Sequence, residues 1–264
     1  MLFAIWLSFV FSKKNPIVLL PPLYGTHLFA TYNKTDIPWY CPKTMNDELL
    51  WVSSKFIVPP FYNCLVLLTQ GTFDNETNQI KNLPGIDIKV HDFEGEESVS
   101  YIINGTFKFI DNYYSLLKYY KQRNYTVGEN LFIAPYDWRM APLFIDDFWP
   151  KFQAIIEKAF IQNNEKVTLL GFSMGTFMIH YFLTEKASKD WISKYVEKVV
   201  LLAPSWGGCH QTFDAIFGRF SPVVPIIKND YVADMVTSLP GFFSHQMTNG
   251  GKEKDWLISH YLSK

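Results

Sequence analysis

Apolar residues along this chain fall into two kinds of run. Short unbroken runs bounded by turn residues read as buried strands, and runs whose apolar positions recur every three or four residues read as helices. The first kind comprises Pro16 to Leu20 (PIVLL, closed by Pro21-Pro22), Leu131 to Ala134 and the apolar part of Lys166 to Gly171, and residues 65 to 69, residues 86 to 90 and Val196 to Ala203 look like further strands. The second kind comprises Asn104 to Arg123, with Phe107, Ile110, Tyr114, Leu117 and Tyr120 on one face, then Asp146 to Gln162 and Met174 to Lys186. A loop is expected after Pro22, leading into an aromatic stretch between Cys41 and Cys64. Strands alternating with helices imply an α/β protein with a mostly parallel sheet. There is no internal repeat or low-complexity tract, and no linker before the last third.

Met1 to Phe11 contain Ser8 as their only polar residue, and Lys13, Lys14, Asn15 and Pro16 end the run. Crossing a bilayer takes about 20 apolar residues, so this segment is too short to span one. It reads as a signal peptide over residues 1–12, with Val10 and Ser12 at the small-residue positions and the folded domain at 16–264. A buried N-terminal strand or helix is the alternative. Four glycosylation sequons, at Asn33, Asn75, Asn104 and Asn124, point with it to the secretory route.

Composition narrows the classes. The 264 residues are 48% hydrophobic and 19% charged, which excludes a disordered polypeptide. With 24 Lys+Arg against 25 Asp+Glu the formal charge is -1, so no basic face for nucleic acid is implied. The 23 Phe, 15 Tyr and 8 Trp suit a lipid ligand or membrane surface, and equally a thick aromatic core. Three cysteines allow at most one bridge and one thiol. No zinc-finger spacing, HExxH, GxGxxG or P-loop occurs, so neither a metal nor a nucleotide cofactor is expected.

The strongest chemical signal is Lys166 to Gly175, KVTLLGFSMG. An apolar strand runs into Gly171-Phe172-Ser173-Met174-Gly175, and a helical pattern follows at once. That is the strand–turn–helix setting of a nucleophile elbow, in which the glycines keep a tight turn free of collisions. Ser173 is the candidate nucleophile, and it needs a base and an orienting acid. The alternative is a chance pentapeptide with Ser173 as a helix N-cap. The backbone N–H of Met174 is one oxyanion donor, and the loop after Leu20 suggests the N–H of Leu23 as the other, because Pro21 and Pro22 cannot donate. An ordinary strand-ending turn there is the alternative.

Ala134-Pro135-Tyr136-Asp137-Trp138-Arg139, followed in order by the elbow, Tyr181-Phe182, Trp191 and Ala203-Pro204-Ser205-Trp206-Gly207-Gly208, resembles the lecithin:cholesterol acyltransferase family. That family includes lysosomal phospholipases and phospholipid:diacylglycerol acyltransferases. The resemblance covers residue 16 to about residue 245. It implies an α/β-hydrolase fold with flanking helices and a lid. It also implies a lipid O-acyltransferase or phospholipase, in which Ser173 attacks a phospholipid ester and passes the acyl group to water or to an alcohol such as a sterol. Pro22 stands where the family usually has Gly, Gly25-Thr26 where it has Gly-Asn, and Phe172 where a His precedes the nucleophile. Ser205 is one extra residue.

The stretch from Trp39 through Trp51 to Cys64 looks like the family's membrane-active lid, closed by a Cys41–Cys64 disulfide. Closing that loop is worth roughly 3 to 4 kcal/mol in the chain-entropy model. Trp51, Phe56, Ile57, Phe61 and Tyr62 would then face a membrane or lipoprotein surface. Core packing with reduced cysteines is the alternative. Cys209 reads as a buried small hydrophobe. Asp137 and Arg139 read as a structural pair supporting the nucleophile strand, since in this fold the acid and the His follow the Ser.

No segment after Ala203 has the profile of a buried strand ending in an acid, so the last strands of the domain are expected to be missing. Asp214, Asp230, Asp234, Asp255, His245 and His260 are candidates on paper only, and acid and base stay unassigned. His27, His91, His180 and His210 read as satisfied polar residues. Two readings follow: the nucleophile half of a secreted or lysosomal lipid acyltransferase, a poor or inactive catalyst as it stands, or a non-catalytic lipid-binding relative.

Overall fold

The computed structural model describes residues 14–77, 79–106, 108–209, 214, 233, 235–239 and 241. The expected leader lies outside the described residues, as do Asp230, Asp234, Asp255, His210, His245 and His260. The chain opens with β1 (Ile17–Leu20), β2 (Leu28–Asn33), β3 (Thr44–Trp51), α1 (Tyr62–Thr69), β4 (Gly71–Asp74), β5 (Gln79–Asn82) and β6 (Ile86–Lys89). It continues through α2 (Glu97–Ser100), β7 (Tyr101–Ile103), β8 (Phe109–Asp111), α3 (Tyr114–Lys121) and β9 (Leu131–Ile133). Then come α4 (Phe148–Asn163), β10 (Val167–Phe172), α5 (Met174–Tyr181), α6 (Lys189–Tyr195) and β11 (Val196–Leu202).

Four strands form a parallel sheet in the order β11-β10-β1-β9, with Leu19 beside Leu170 and Ile133. Successive side chains of a strand point to opposite faces, and here both faces are covered. Val18 and Leu20 join the larger core with Leu169 and Phe152 of α4, while Ile17 and Leu19 join a second cluster with Tyr113 and Leu117. An unbroken IVLL run is therefore what a strand buried on both sides requires. The fold is α/β, with helices on both faces of a parallel sheet.

Four sequence expectations change. Residues 65 to 69 are the second half of α1 and not a strand. Its burial is nearly all-round, so the run carries no stripe by which to tell helix from strand. Asn104 to Arg123 is not one helix. The chain forms the β7–β8 hairpin, with Ile110 inside β8 at φ 61, and starts a helix only at Tyr114, where the Asp111 carboxylate accepts from the backbone N–H of Ser115 at 3.2 Å. Residues 86 to 89 do form a strand, but it pairs antiparallel with β2 in a separate β3-β2-β6 sheet. The loop expected after Pro22 gives way to β2 and β3, so the 41–64 segment contains a paired strand.

Candidate active site

Strand β10 delivers Ser173 to a sharp turn between strand and helix. Its backbone sits at φ 51, ψ -116, a strained setting for a residue with a side chain, and α5 begins at Met174. The Ser173 N–H donates to the Leu202 carbonyl at 2.9 Å, and its own carbonyl accepts from the Thr176 N–H and hydroxyl at 2.9 and 2.6 Å. The serine side chain makes no capping hydrogen bond. The serine therefore does not act as a side-chain N-cap, and the residue is half-buried.

The glycines of the motif are sterically required. A Cβ on Gly171 would fall 2.6 Å from the Gly175 carbonyl oxygen, and one on Gly175 would fall 2.4 Å from that of Leu20 and 2.9 Å from that of Pro21. Gly175 thus lets α5 start against the end of β1. The loop leaving β1 is brought beside the serine.

That loop is held by its carbonyls. Tyr113 and Tyr136 donate their hydroxyls to the Leu20 and Pro21 oxygens, each at 2.7 Å. The indole N–H groups of Trp51 and Trp138 donate to Tyr24 and Thr26 at 3.1 and 3.0 Å, and the Asn112 amide donates to Gly25 at 2.9 Å. With the oxygens drawn into the core, the Leu23 N–H makes no hydrogen bond among the described residues. Met174 heads α5, whose first-turn N–H groups have no partner within the helix. Burial pushes the Tyr113 and Tyr136 phenols well above their usual range, so both stay protonated donors. The sequence singled out Tyr136 and Trp138 within their motif. Trp51, Tyr113 and Asn112 carried no local signal for this task.

Asp137 and Arg139 do form an ion pair, with Arg139 Nε 2.9 Å from Asp137 Oδ1. The buried guanidinium also donates to the Thr69 carbonyl at 3.3 Å and to Asn82 Oδ1 at 2.8 Å. The pair therefore ties the end of α1 to β5, and the expectation that it supports the nucleophile strand is corrected. An Arg fork can serve three acceptors at once.

Cys41 and Cys64 are bridged, with their Cα atoms 5.6 Å apart, and Cys209 is half-buried outside the bridge. The aromatics between them do not all face outward. Trp51, Phe56 and Tyr62 are 1%, 2% and 7% exposed, and Trp51 stacks on Tyr24 at 5.0 Å. Trp51 is turned inward by the pairing of β3 with β2, while Phe56, in the helical turn after β3, and Tyr62, at the start of α1, pack into the same core. The exposed apolar side chains near the bridge are Trp39, Val58 and Phe61, with Ile57 half-buried.

Among the described histidines, two have polar partners away from Ser173 and the third is exposed. His27 is buried with Nε2 2.7 Å from the Tyr101 carbonyl, and His91 Nε2 lies 2.6 Å from Asp47 Oδ1. His180 is exposed two turns along α5 from Ser173, its ring 5.4 Å from that of Trp206. Asp214 is half-buried. Acid and base are thus not assigned among the described residues. Of the four sequons, Asn33, Asn75 and Asn124 are exposed, and Asn104 is half-buried with Oδ1 accepting from the Gly105 N–H.

A profile of the lecithin:cholesterol acyltransferase family matches residues 47–240, a span that holds the bridge's second cysteine, APYDWR and the elbow. The chain belongs to the lecithin:cholesterol acyltransferase family. It is 26% identical over 220 residues to mouse phosphatidylcholine-sterol acyltransferase, covering 83% of this chain and 50% of that protein. To the human protein of the same name it is 24% identical over 241 residues, 89% of this chain and 54% of the other. To bovine lysosomal phospholipase A and acyltransferase it is 25% identical over 225 residues, 84% and 55%. The chain spans about half the length of these relatives.

Proposed function

We propose that this lecithin:cholesterol acyltransferase family member carries the nucleophile half of a lipid acyl-transfer site. Ser173 Oγ attacks the carbonyl carbon of a phospholipid ester and loses its proton to a base. The oxyanion is met by the N–H groups of Met174 and Leu23, and the departing alcohol takes up a proton as the acyl-enzyme forms. Water or an alcohol such as a sterol then accepts the acyl group. The observation that carries this reading is the strained Ser173 turn packed through Gly175 onto the end of β1. The names of the relatives, a sterol acyltransferase and a phospholipase A with acyltransferase, support the substrate class. Trp39, Val58 and Phe61 beside the bridge offer apolar surface to a membrane or lipoprotein, which revises the lid's contact residues. The bridge and the sequons support passage through the secretory route, to an extracellular or lysosomal site.

The experiment is incubation with phosphatidylcholine vesicles, acid quench, and mass mapping of the Ser173 peptide. An acyl adduct absent from Ser173→Ala supports the proposal. Among the described residues no histidine hydrogen-bonds Ser173, and one second reading stands beside the first, a lipid-binding relative without chemistry. Vesicle binding with no adduct on any serine would establish that reading instead.

A further inference from the structure

A cleft of about 790 Å3 lies outside the serine site, between β6, the segment following β9 and the first turn of α4. Its size falls in the range of small-molecule sites, about 300 to 1,000 Å3. Ile86, Ile88, Phe93, Met140, Ile145 and Phe148 make much of its lining apolar. Phe93 and Phe148 meet edge to face at 6.2 Å. Lys81, Lys89, Arg139 and Lys151 line it against two carboxylates, Asp137 and Asp147. The Arg139 fork answers Asp137. Lys89 and Lys151 are 61% and 62% exposed, and among the described residues they pair with surface acids, Asp87 at 2.9 Å and Asp147 at 3.6 Å. Lys81 is held by Asp74, and His91 by Asp47. Exposed pairs of this kind hold their lysines weakly, so Lys89 and Lys151 can turn to a ligand.

We propose that this cleft binds a long-chain carboxylate, with the alkyl chain along Ile88 and Phe148 and the head group between Lys89 and Lys151. A single chain with a small anionic head satisfies both an apolar lining and a cationic rim. A neutral alcohol satisfies only the first. The acyl product of the proposed reaction has this chemistry, and only that choice of source rests on the functional reading. Tyr136 lines the cleft and also donates to the Pro21 oxygen, which joins the cleft wall to the loop that carries Leu23.

The test is calorimetric titration of the folded Ser173→Ala chain with oleate below its micelle concentration, beside oleyl alcohol. One site is expected, with the alcohol about tenfold weaker, roughly 1.4 kcal/mol. The double variant Lys89→Glu, Lys151→Glu should lose about tenfold for oleate with an unchanged melting temperature. Ile88→Trp, which fills the cleft, should weaken both ligands. Equal affinity for the alcohol, oleate binding untouched by the charge reversal, or no binding by the folded chain would each overturn the proposal. The titration needs no chemistry at Ser173, so its failure leaves the nucleophile reading intact. A failed acyl adduct equally leaves this site intact.

Discussion

A side-chain carbon placed on Gly175 would lie 2.4 Å from the carbonyl oxygen of Leu20, so α5 can abut the first strand only because residue 175 has none. Gly→Ala inside a helix ordinarily gains up to about 1 kcal/mol. Here the sign should reverse. Gly175→Ala is expected to cost about 1 to 3 kcal/mol through overpacking against backbone. Gly207→Ala, with nothing near its added carbon, is the near-neutral control. Urea melts of both variants check this, and equal midpoints would show that the β1 end yields without cost.

Trp39 and Trp51 flank the same bridge with opposite surroundings, 87% and 1% exposed. Trp51→Ala should cost about 3 to 5 kcal/mol, from the emptied core and the lost donor to Tyr24. Trp39→Ala with Phe61→Ala should leave the melt within about 0.5 kcal/mol. That pair should nevertheless reduce flotation with phosphatidylcholine vesicles. Unchanged flotation would remove these side chains from the lipid contact.

Burial lowers the pKa of His27, outweighing its bond to the Tyr101 carbonyl. The folded state resists a proton that the unfolded chain accepts near pH 6.5. Stability is therefore intact above that pH and falls as the pH drops below it, until the folded value is passed. Melting temperatures from pH 7.5 to 5 should decline, and His27→Gln should flatten the decline. An equal slope in the variant would place the loss on other groups.

The parallel sheet was legible because β1 is an unbroken apolar run and β10 is broken only by Thr168, and the elbow because its glycines answer local collisions. The β2–β3–β6 sheet was not legible. Thr44–Trp51 shows a burial pattern of mixed residues whose sense depends on the distant partner Leu28–Asn33. From the sequence Trp51 looks like a lid aromatic for the same reason: nothing within the 41–64 segment tells that its indole reaches the Tyr24 carbonyl. Asp137 and Arg139 were legible as a pair, yet their further partners Thr69 and Asn82 lie far off in sequence. The motif residues were visible before folding, and the side chains that hold the Leu20–Thr26 carbonyls emerged only from packing.

Reaction of the purified, folded chain with a fluorophosphonate, followed by peptide mapping, tests the role of Ser173 most directly. The expected result is one phosphonyl adduct on the peptide spanning Ser173, absent from Ser173→Ala while that variant melts as the parent does. A folded parent chain that takes no adduct, or an adduct that persists in Ser173→Ala, would contradict it.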